Sequence, residues 1–177
     1  MIDNVTKFVL STKRNVVCQI KIIHFTFLDR YWTGWANENY RGYSNGERIC
    51  NPGNYVNKIT WMQRNFHGFV DVSFSCTDGT STRMTNSDSH WNHWQKTIYC
   101  QYGFDEFIAR EQGGYGLINF QTKCSGQNNF VYSNSNWNGW NNGKQSCKPG
   151  HKMVGLETQE QGRYGIINYR VECQNGF

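Results

Sequence analysis

Paired tryptophans are the residues of this chain best suited to chemistry. Trp91-Asn92-His93-Trp94 and Trp137-Asn138-Gly139-Trp140 set two indoles three residues apart around amide side chains, and Trp32 and Trp35 repeat the spacing. An indole face beside an Asn suits a sugar ring: the ring stacks on the indole while the amide donates to its hydroxyls. Tryptophans repeated with symmetry equally suit an interior wedge or an end seal. The symmetry favours that structural role.

Other chemistries find less support. Glycoside hydrolysis needs two carboxyl groups roughly 5–9.5 Å apart. Glu111 and Glu160 hold matching positions before Gln-Gly, where the first copy has Arg64 or a neighbour. They read as surface charges pairing with Arg110, Arg163 or Arg170, and no residue is assigned a catalytic role. His24, His67, His90, His93 and His151 are dispersed, with no nucleophile–base grouping and no metal-ligand spacing, so no metal or cofactor is expected. Asn4-Val5-Thr6 fits an N-glycosylation acceptor.

The elements that must carry these residues follow from a repeat. Each Trp-x-x-Trp is followed by Cys-x-x-Gly and then by Gly-Φ-Φ-[Asp/Asn]-Φ-x-x-x-Cys, with Φ apolar. The copies run Trp32, Trp35, Cys50, Gly53, Gly68, Asp71, Cys76; Trp91, Trp94, Cys100, Gly103, Gly116, Asn119, Cys124; and Trp137, Trp140, Cys147, Gly150, Gly165, Asn168, Cys173. A repeated unit repeats its bridge, so Cys50–Cys76, Cys100–Cys124 and Cys147–Cys173 form the simplest framework. Six cysteines allow 15 pairings, and free thiols or zinc ligation are the competing readings. Cys18 stands where a fourth closing cysteine would stand. It either bridges another chain or segment or is a buried thiol.

The closing segments alternate. Val72, Phe74 and Cys76 face one way and Ser73 and Ser75 the other, and the same holds before Cys124 and Cys173. Further strands are predicted at Phe25–Phe27, Ser81–Thr85 and Phe130–Tyr132, and at Tyr55–Trp61, Asp105–Arg110 and Lys152–Thr158. Each unit thus supplies about four short strands, enough for one antiparallel sheet, and three such sheets pack around an axis. The glycine after each first cysteine suits a turn with positive φ, and the second glycine a bulge or tight turn. Trp32 to Cys50 is longer than its counterparts, and Asn39 to Gly46 is expected to be an exposed loop.

The 177 residues form one all-β domain, with 1–29 as an N-terminal segment holding a closing strand and 30–76, 77–124 and 125–177 as the repeats. Aromatics at 16%, 18 glycines, two prolines and two alanines disfavour helix. The net charge of +5 is scattered, without the basic block of a nucleic-acid binder. No stretch approaches the roughly 20 apolar residues of a membrane span. The cysteines point to an oxidising, extracellular setting, although Met1 to Leu10 lacks the apolar core of a signal peptide.

Trp-Asn-x-Trp followed nine or ten residues later by Cys-x-x-Gly resembles the vitelline membrane outer layer protein I family over roughly residues 22–177. The resemblance implies a β-prism: three Greek-key sheets around a pseudo-threefold axis, completed by terminal strands. It also implies an extracellular coat or matrix protein, with weak transfer or hydrolysis of chito-oligosaccharides as an associated activity. The family's acidic loop before the closing strand is replaced here by Asn65-Phe66-His67-Gly68, Gly113-Gly114-Tyr115-Gly116 and Gly162-Arg163-Tyr164-Gly165. Dermatopontin is a more distant likeness. The expectation is a secreted β-prism that binds glycans or glycoproteins of an extracellular coat. Two alternatives remain: an enzyme on N-acetylated polysaccharide, and a structural subunit assembled through edge strands or Cys18.

Overall fold

The structure, a computed structural model, describes residues 28–36, 42–63, 68–85, 94–111, 116–132, 140–161 and 165–177. Cys18, Asn4 and the strand expected at Phe25–Phe27 lie outside them. The described residues form twelve strands and no helix. They are β1 (Arg30–Trp32), β2 (Tyr43–Ile49), β3 (Val56–Gln63), β4 (Phe69–Cys76), β5 (Ser81–Thr85), β6 (Trp94–Tyr99), β7 (Phe104–Glu111), β8 (Leu117–Cys124), β9 (Phe130–Tyr132), β10 (Trp140–Ser146), β11 (His151–Glu160) and β12 (Ile166–Asn175).

Three antiparallel four-stranded sheets result: sheet A in the order β1-β12-β11-β2, sheet B β5-β4-β3-β6 and sheet C β10-β7-β8-β9. In B and C three hairpin-connected strands are followed by a fourth that returns beside the first, which is a Greek key. The architecture is a β-prism. The expected four strands per unit are present, but they do not form a sheet of their own. Each sheet takes its central hairpin from one repeat and its two edges from the next. Sheet A is closed by β1 and β2 from the start of the chain around β11 and β12 from its end. Burial explains the exchange: the hairpin strands have an inner face to cover, and short polar strands suffice as edges.

The central hairpins repeat in detail. Each has two register shifts, at Val56/Lys58 and Met62/Gln63, Phe104/Glu106 and Arg110/Glu111, and Met153/Gly155 and Gln159/Glu160. The second shift of each lies at the glycine that opens the closing strand, where Gly116 and Gly165 have φ of 71° and 75°. The bridges Cys50–Cys76, Cys100–Cys124 and Cys147–Cys173 clasp the opposite end of each hairpin. The chain-entropy account gives each such loop about 3.5 kcal/mol.

The core lies where the sheets meet. Trp61, Phe69, Phe120 and Tyr169 are fully buried there. Trp61 pairs with Val72, Ala109 with Phe120, and Thr158 with Tyr169, so every hairpin sets one large side chain against one small one in the same layer. The Tyr169 hydroxyl donates to the Phe107 carbonyl at 3.2 Å and approaches that of Gly143 at 3.4 Å, tying sheet A to sheet C.

The expected loop over Asn39 to Gly46 is corrected in its described part. Tyr43 to Gly46 begins β2, an edge strand paired with β11. Turn-like composition is compatible with such a strand because it buries little and because Gly46, at φ 80°, supplies the bulge.

Candidate functional site

Trp32 and Trp35, the tryptophan pair of the first repeat, hold the outer face of sheet A. Thr33 N–H donates to the Val171 carbonyl, Val171 N–H to Thr33 Oγ1, and Ala36 N–H to the Tyr169 carbonyl, so the chain continues along β12 beyond β1. Both indoles then meet Arg170, whose guanidinium carbon lies 4.7 Å from the Trp32 ring and 5.0 Å from the Trp35 ring. Arg170 Nε donates to Glu157 at 2.5 Å and Nη2 to Glu47 at 3.1 Å, while Ser44 Oγ donates to Glu157 at 2.6 Å. Beneath the same turn Ala36 lies against Gly143 of sheet C, where an added Cβ would stand 2.1 Å from its carbonyl oxygen. Trp32 and Trp35 therefore pack on the outer face of sheet A, and Ala36, next to Trp35, is the residue that meets sheet C. The two indoles do not fill the prism interior: the interior wedge is Trp61, which belongs to no pair.

Register then separates this pair from the other two. Trp94 and Trp140 open the edge strands β6 and β10, opposite Gln63 and Glu111. The residue opening the matching edge strand β2, opposite Glu160, is Tyr43. Tyr43 stands seven residues before Cys50, Trp140 seven before Cys147 and Trp94 six before Cys100. In sequence, Tyr40-Arg41-Gly42-Tyr43 thus matches Trp91-Asn92-His93-Trp94 and Trp137-Asn138-Gly139-Trp140. The long interval from Trp32 to Cys50 is no insertion; Trp32 and Trp35 occupy a different place. The overlooked signal was distance to the following cysteine, hidden because Tyr had replaced Trp.

These three stations share the end of the prism away from the disulfides. The Tyr43 ring is 79% exposed. Its backbone is set by Gly42, where a Cβ would lie 2.3 Å from the Glu160 carbonyl oxygen, and by the turn in which Gln161 N–H donates to the Gly165 carbonyl. Exposed Gln161 and Ser44 flank it. Trp91, Asn92, Trp137 and Asn138 lie outside the described residues.

Of the two acidic residues, Glu160 departs from expectation in its burial, and the Glu111 side chain lies outside what the structure describes. Glu160 is 5% exposed and so is no surface charge. Arg170 pairs with Glu157 and Glu47 instead. The sequence also gave no warning of a cluster at the disulfide end: His151 Nε2 lies 3.2 Å from Asp29, its ring meets the Tyr31 ring edge-on at 5.5 Å, and Lys148 covers Tyr31. These partners are more than a hundred residues apart in sequence. Nearby, burial lowers the Lys152 pKa; its ammonium lies over the Tyr55 ring and donates to the Tyr102 carbonyl at 2.7 Å. Among the described residues no group of three or more His, Cys, Asp or Glu is placed to hold a metal ion.

No protein-family model and no curated protein matches the sequence. Solved structures do match the fold. Calystegia sepium agglutinin superposes with a TM-score of 0.63 over 82% of this chain and 97% of its own, at 12% identity. Calsepa lectin in complex with a biantennary N-glycan gives 0.62 over 84% and 98%, at 11% identity. Frutalin from Artocarpus incisa gives 0.57 over 82% and 95%, at 9% identity. The fold is thus the β-prism of jacalin-like lectins.

Proposed function

We propose that this chain is a glycan-binding β-prism that recognises sugars through the aromatic stations at its loop end. The observation that carries this is Tyr43: a large ring 79% exposed at the start of an edge strand, at a position the other two sheets fill with tryptophan. An aromatic so largely exposed contributes little to folding, whereas its flat apolar face suits a pyranose ring. One solved neighbour was crystallised with a biantennary N-glycan, which makes that glycan the first probe. The three bridges, together with the resemblance to the vitelline membrane outer layer family, support a secreted protein of an extracellular coat as the setting. The test is a glycan array containing biantennary N-glycans and chito-oligosaccharides, followed by calorimetry on the hits. Saturable binding of at least one neutral glycan is expected, and no binding across the array overturns the proposal.

The enzymatic alternative has no observation in its favour: Glu160 and Glu111 belong to different sheets, at symmetry-related positions, and do not form a facing pair on one hairpin.

A further inference from the structure

We infer that Trp32 is a site of covalent modification, at which one mannose is joined to C2 of the indole by a carbon–carbon bond in the secretory lumen. The inference rests on the secreted setting proposed above and is independent of glycan binding by the folded chain.

Register carries the argument. Trp94 and Trp140 open the edge strands of sheets B and C, and Tyr43 opens the matching strand of sheet A. Repeat symmetry therefore accounts for an aromatic at Tyr43 and gives no reason for indoles at Trp32 and Trp35, which run along β12 instead. Core packing gives none either: both indoles are half-buried on an outer face, and the interior wedge is Trp61. Yet the spacing is unchanged in Trp32-Thr33-Gly34-Trp35. A spacing that persists where its place in the fold has changed is one that can be read from the chain as a sequence. Trp-x-x-Trp is the acceptor sequence of the transferases that attach mannose to the first tryptophan. They work in the lumen where disulfides form, the compartment that the three bridges favour.

The step balances without a redox partner. A mannose carried on a polyprenyl phosphate supplies the anomeric carbon. The electron-rich indole attacks that carbon through C2, and the new carbon–carbon bond forms as the bond from the anomeric carbon to the phosphate oxygen breaks. Polyprenyl phosphate leaves with the electron pair, and the C2 proton passes to a base of the transferase. The folded site has room for the product. The Arg170 guanidinium lies over the faces of both rings, 4.7 Å from Trp32 and 5.0 Å from Trp35. C2 is on the ring edge, so its substitution leaves the cation on the face. Gly34, between the indoles, is exposed, and a Cβ built on it meets nothing within 4 Å, so the turn that joins them is open. Thr33 Oγ1, the one hydroxyl of the motif, is held to β12 by the Val171 N–H at 3.0 Å and is the poorer acceptor. Because Arg170 covers the Trp32 ring once β1 has paired with β12, the transfer precedes folding.

Peptide mapping by mass spectrometry tests the inference. The full chain is expressed behind a cleavable secretion leader in two lines of one eukaryotic cell type, with and without the tryptophan mannosyltransferase. Cleavage after Arg30 and Arg41 releases the peptide 31–41, which contains both indoles. In the first line this peptide is expected to gain the mass of one hexose, located on Trp32 and fragmenting across the sugar ring instead of leaving whole, as a carbon–carbon bond requires. In the second line its mass is expected to be unchanged. Trp35→Phe keeps an aromatic ring beside Arg170 and removes the indole that the transferase reads, so the hexose on Trp32 should be lost without loss of secretion. An unmodified peptide from a secreted chain with its three bridges intact overturns the inference and leaves the secreted setting standing. A hexose on Thr33, a hexose on Trp32 in the transferase-deficient line, or full occupancy in Trp35→Phe overturns it as well. Retention of the wild-type chain in the cell without its bridges removes the secreted setting and the inference with it.

Discussion

The Trp61 indole stacks on the Phe120 ring, with centroids 3.8 Å apart and planes inclined by 10°, across the junction of sheets B and C. Phe69 leans on both, and Tyr169 meets Phe120 edge-on at 5.5 Å. The three sheets thus meet on an off-centre aromatic cluster, in which Trp61 compensates for Ala109 and Thr158 at the equivalent positions. Trp61→Ala is expected to cost about 3–5 kcal/mol, as large-to-small changes at fully buried aromatics do. Ala109→Leu adds volume where Phe120 already fills the layer and is expected to cost about 1–3 kcal/mol. Trp61→Phe costs less than Trp61→Ala, because the Trp61 Nε1 has no hydrogen-bond partner among the described residues and its removal leaves nothing unpaired. Urea unfolding of the three variants measures the order. A Trp61→Ala cost below that of Ala109→Leu would show that the cluster is not the wedge.

Arg170 joins Glu157 and Glu47 to the two indoles Trp32 and Trp35 on the outer face of sheet A. Its side chain is 26% exposed against 7% for Glu157, so its loss strands a mostly buried carboxylate. Arg170→Met is expected to destabilise by about 3 kcal/mol, the low end for breaking a buried pair, since solvent still reaches the guanidinium. Glu157→Gln in the Arg170→Met background recovers part of that loss. Near-ultraviolet circular dichroism should change with Arg170→Met, because Trp32 and Trp35 lose the cation they pack on. Additive effects of the two substitutions, with an unchanged aromatic spectrum, would mean that Arg170 couples neither Glu157 nor the two indoles.

The β-prism was legible in the sequence because its determinants are local and repeated. Alternation before Cys76, Cys124 and Cys173 marks half-buried strands, and β5 and β9 match the predicted Ser81–Thr85 and Phe130–Tyr132 in both bounds. The exchange of edges between repeats was not legible, because pairing partners are set by burial across the whole chain. Nor was the displacement of Trp32 and Trp35: residue identity aligned them with the other pairs, and only hydrogen-bond register shows Tyr43 in that place. Arg170 with Glu47, and His151 with Asp29, pair across more than a hundred residues without a sequence pattern. The buried Asp71, Asn119 and Asn168 were visible as a motif, yet its purpose is a matter of contacts, such as the Arg83–Asp71 ion pair.

Gly143 and Gly53 separate two costs that glycine substitutions usually confound. Both have positive φ, 72° and 80° respectively. At Gly53 an added Cβ meets nothing within 4 Å, so Gly53→Ala reports the backbone conformation alone, about 1–2 kcal/mol. At Gly143 the Cβ would meet the backbone of Ala36, which cannot rotate aside, and Gly143→Ala should cost roughly 1–3 kcal/mol more. Chemical denaturation of the two variants under one set of conditions gives the difference. Equal costs would mean that Ala36 does not press on β10, and the A–C seam would need another explanation.

Tyr169 makes stability depend on alkaline pH. Burial raises its phenol pKa well above the ordinary 10.0, and the hydroxyl is spent on the Phe107 carbonyl. Because the folded state holds this proton and the unfolded state releases it near the ordinary value, the contribution is fully present below pH 10. Above that, stability falls by about 1.4 kcal/mol per pH unit for this one group until the folded state also titrates. Tyr169→Phe should cost about 1 kcal/mol at pH 7 through the lost hydrogen bond, and it should remove that slope. The other tyrosines are common to both proteins, so the difference between wild type and Tyr169→Phe in urea unfolding isolates Tyr169. The gap is expected to be constant from pH 7 to 9, to close above pH 10 and to reverse sign within about one further unit. Parallel curves through pH 11 would mean that the phenol reaches solvent in the folded state, and that the bond between sheets A and C is not closed.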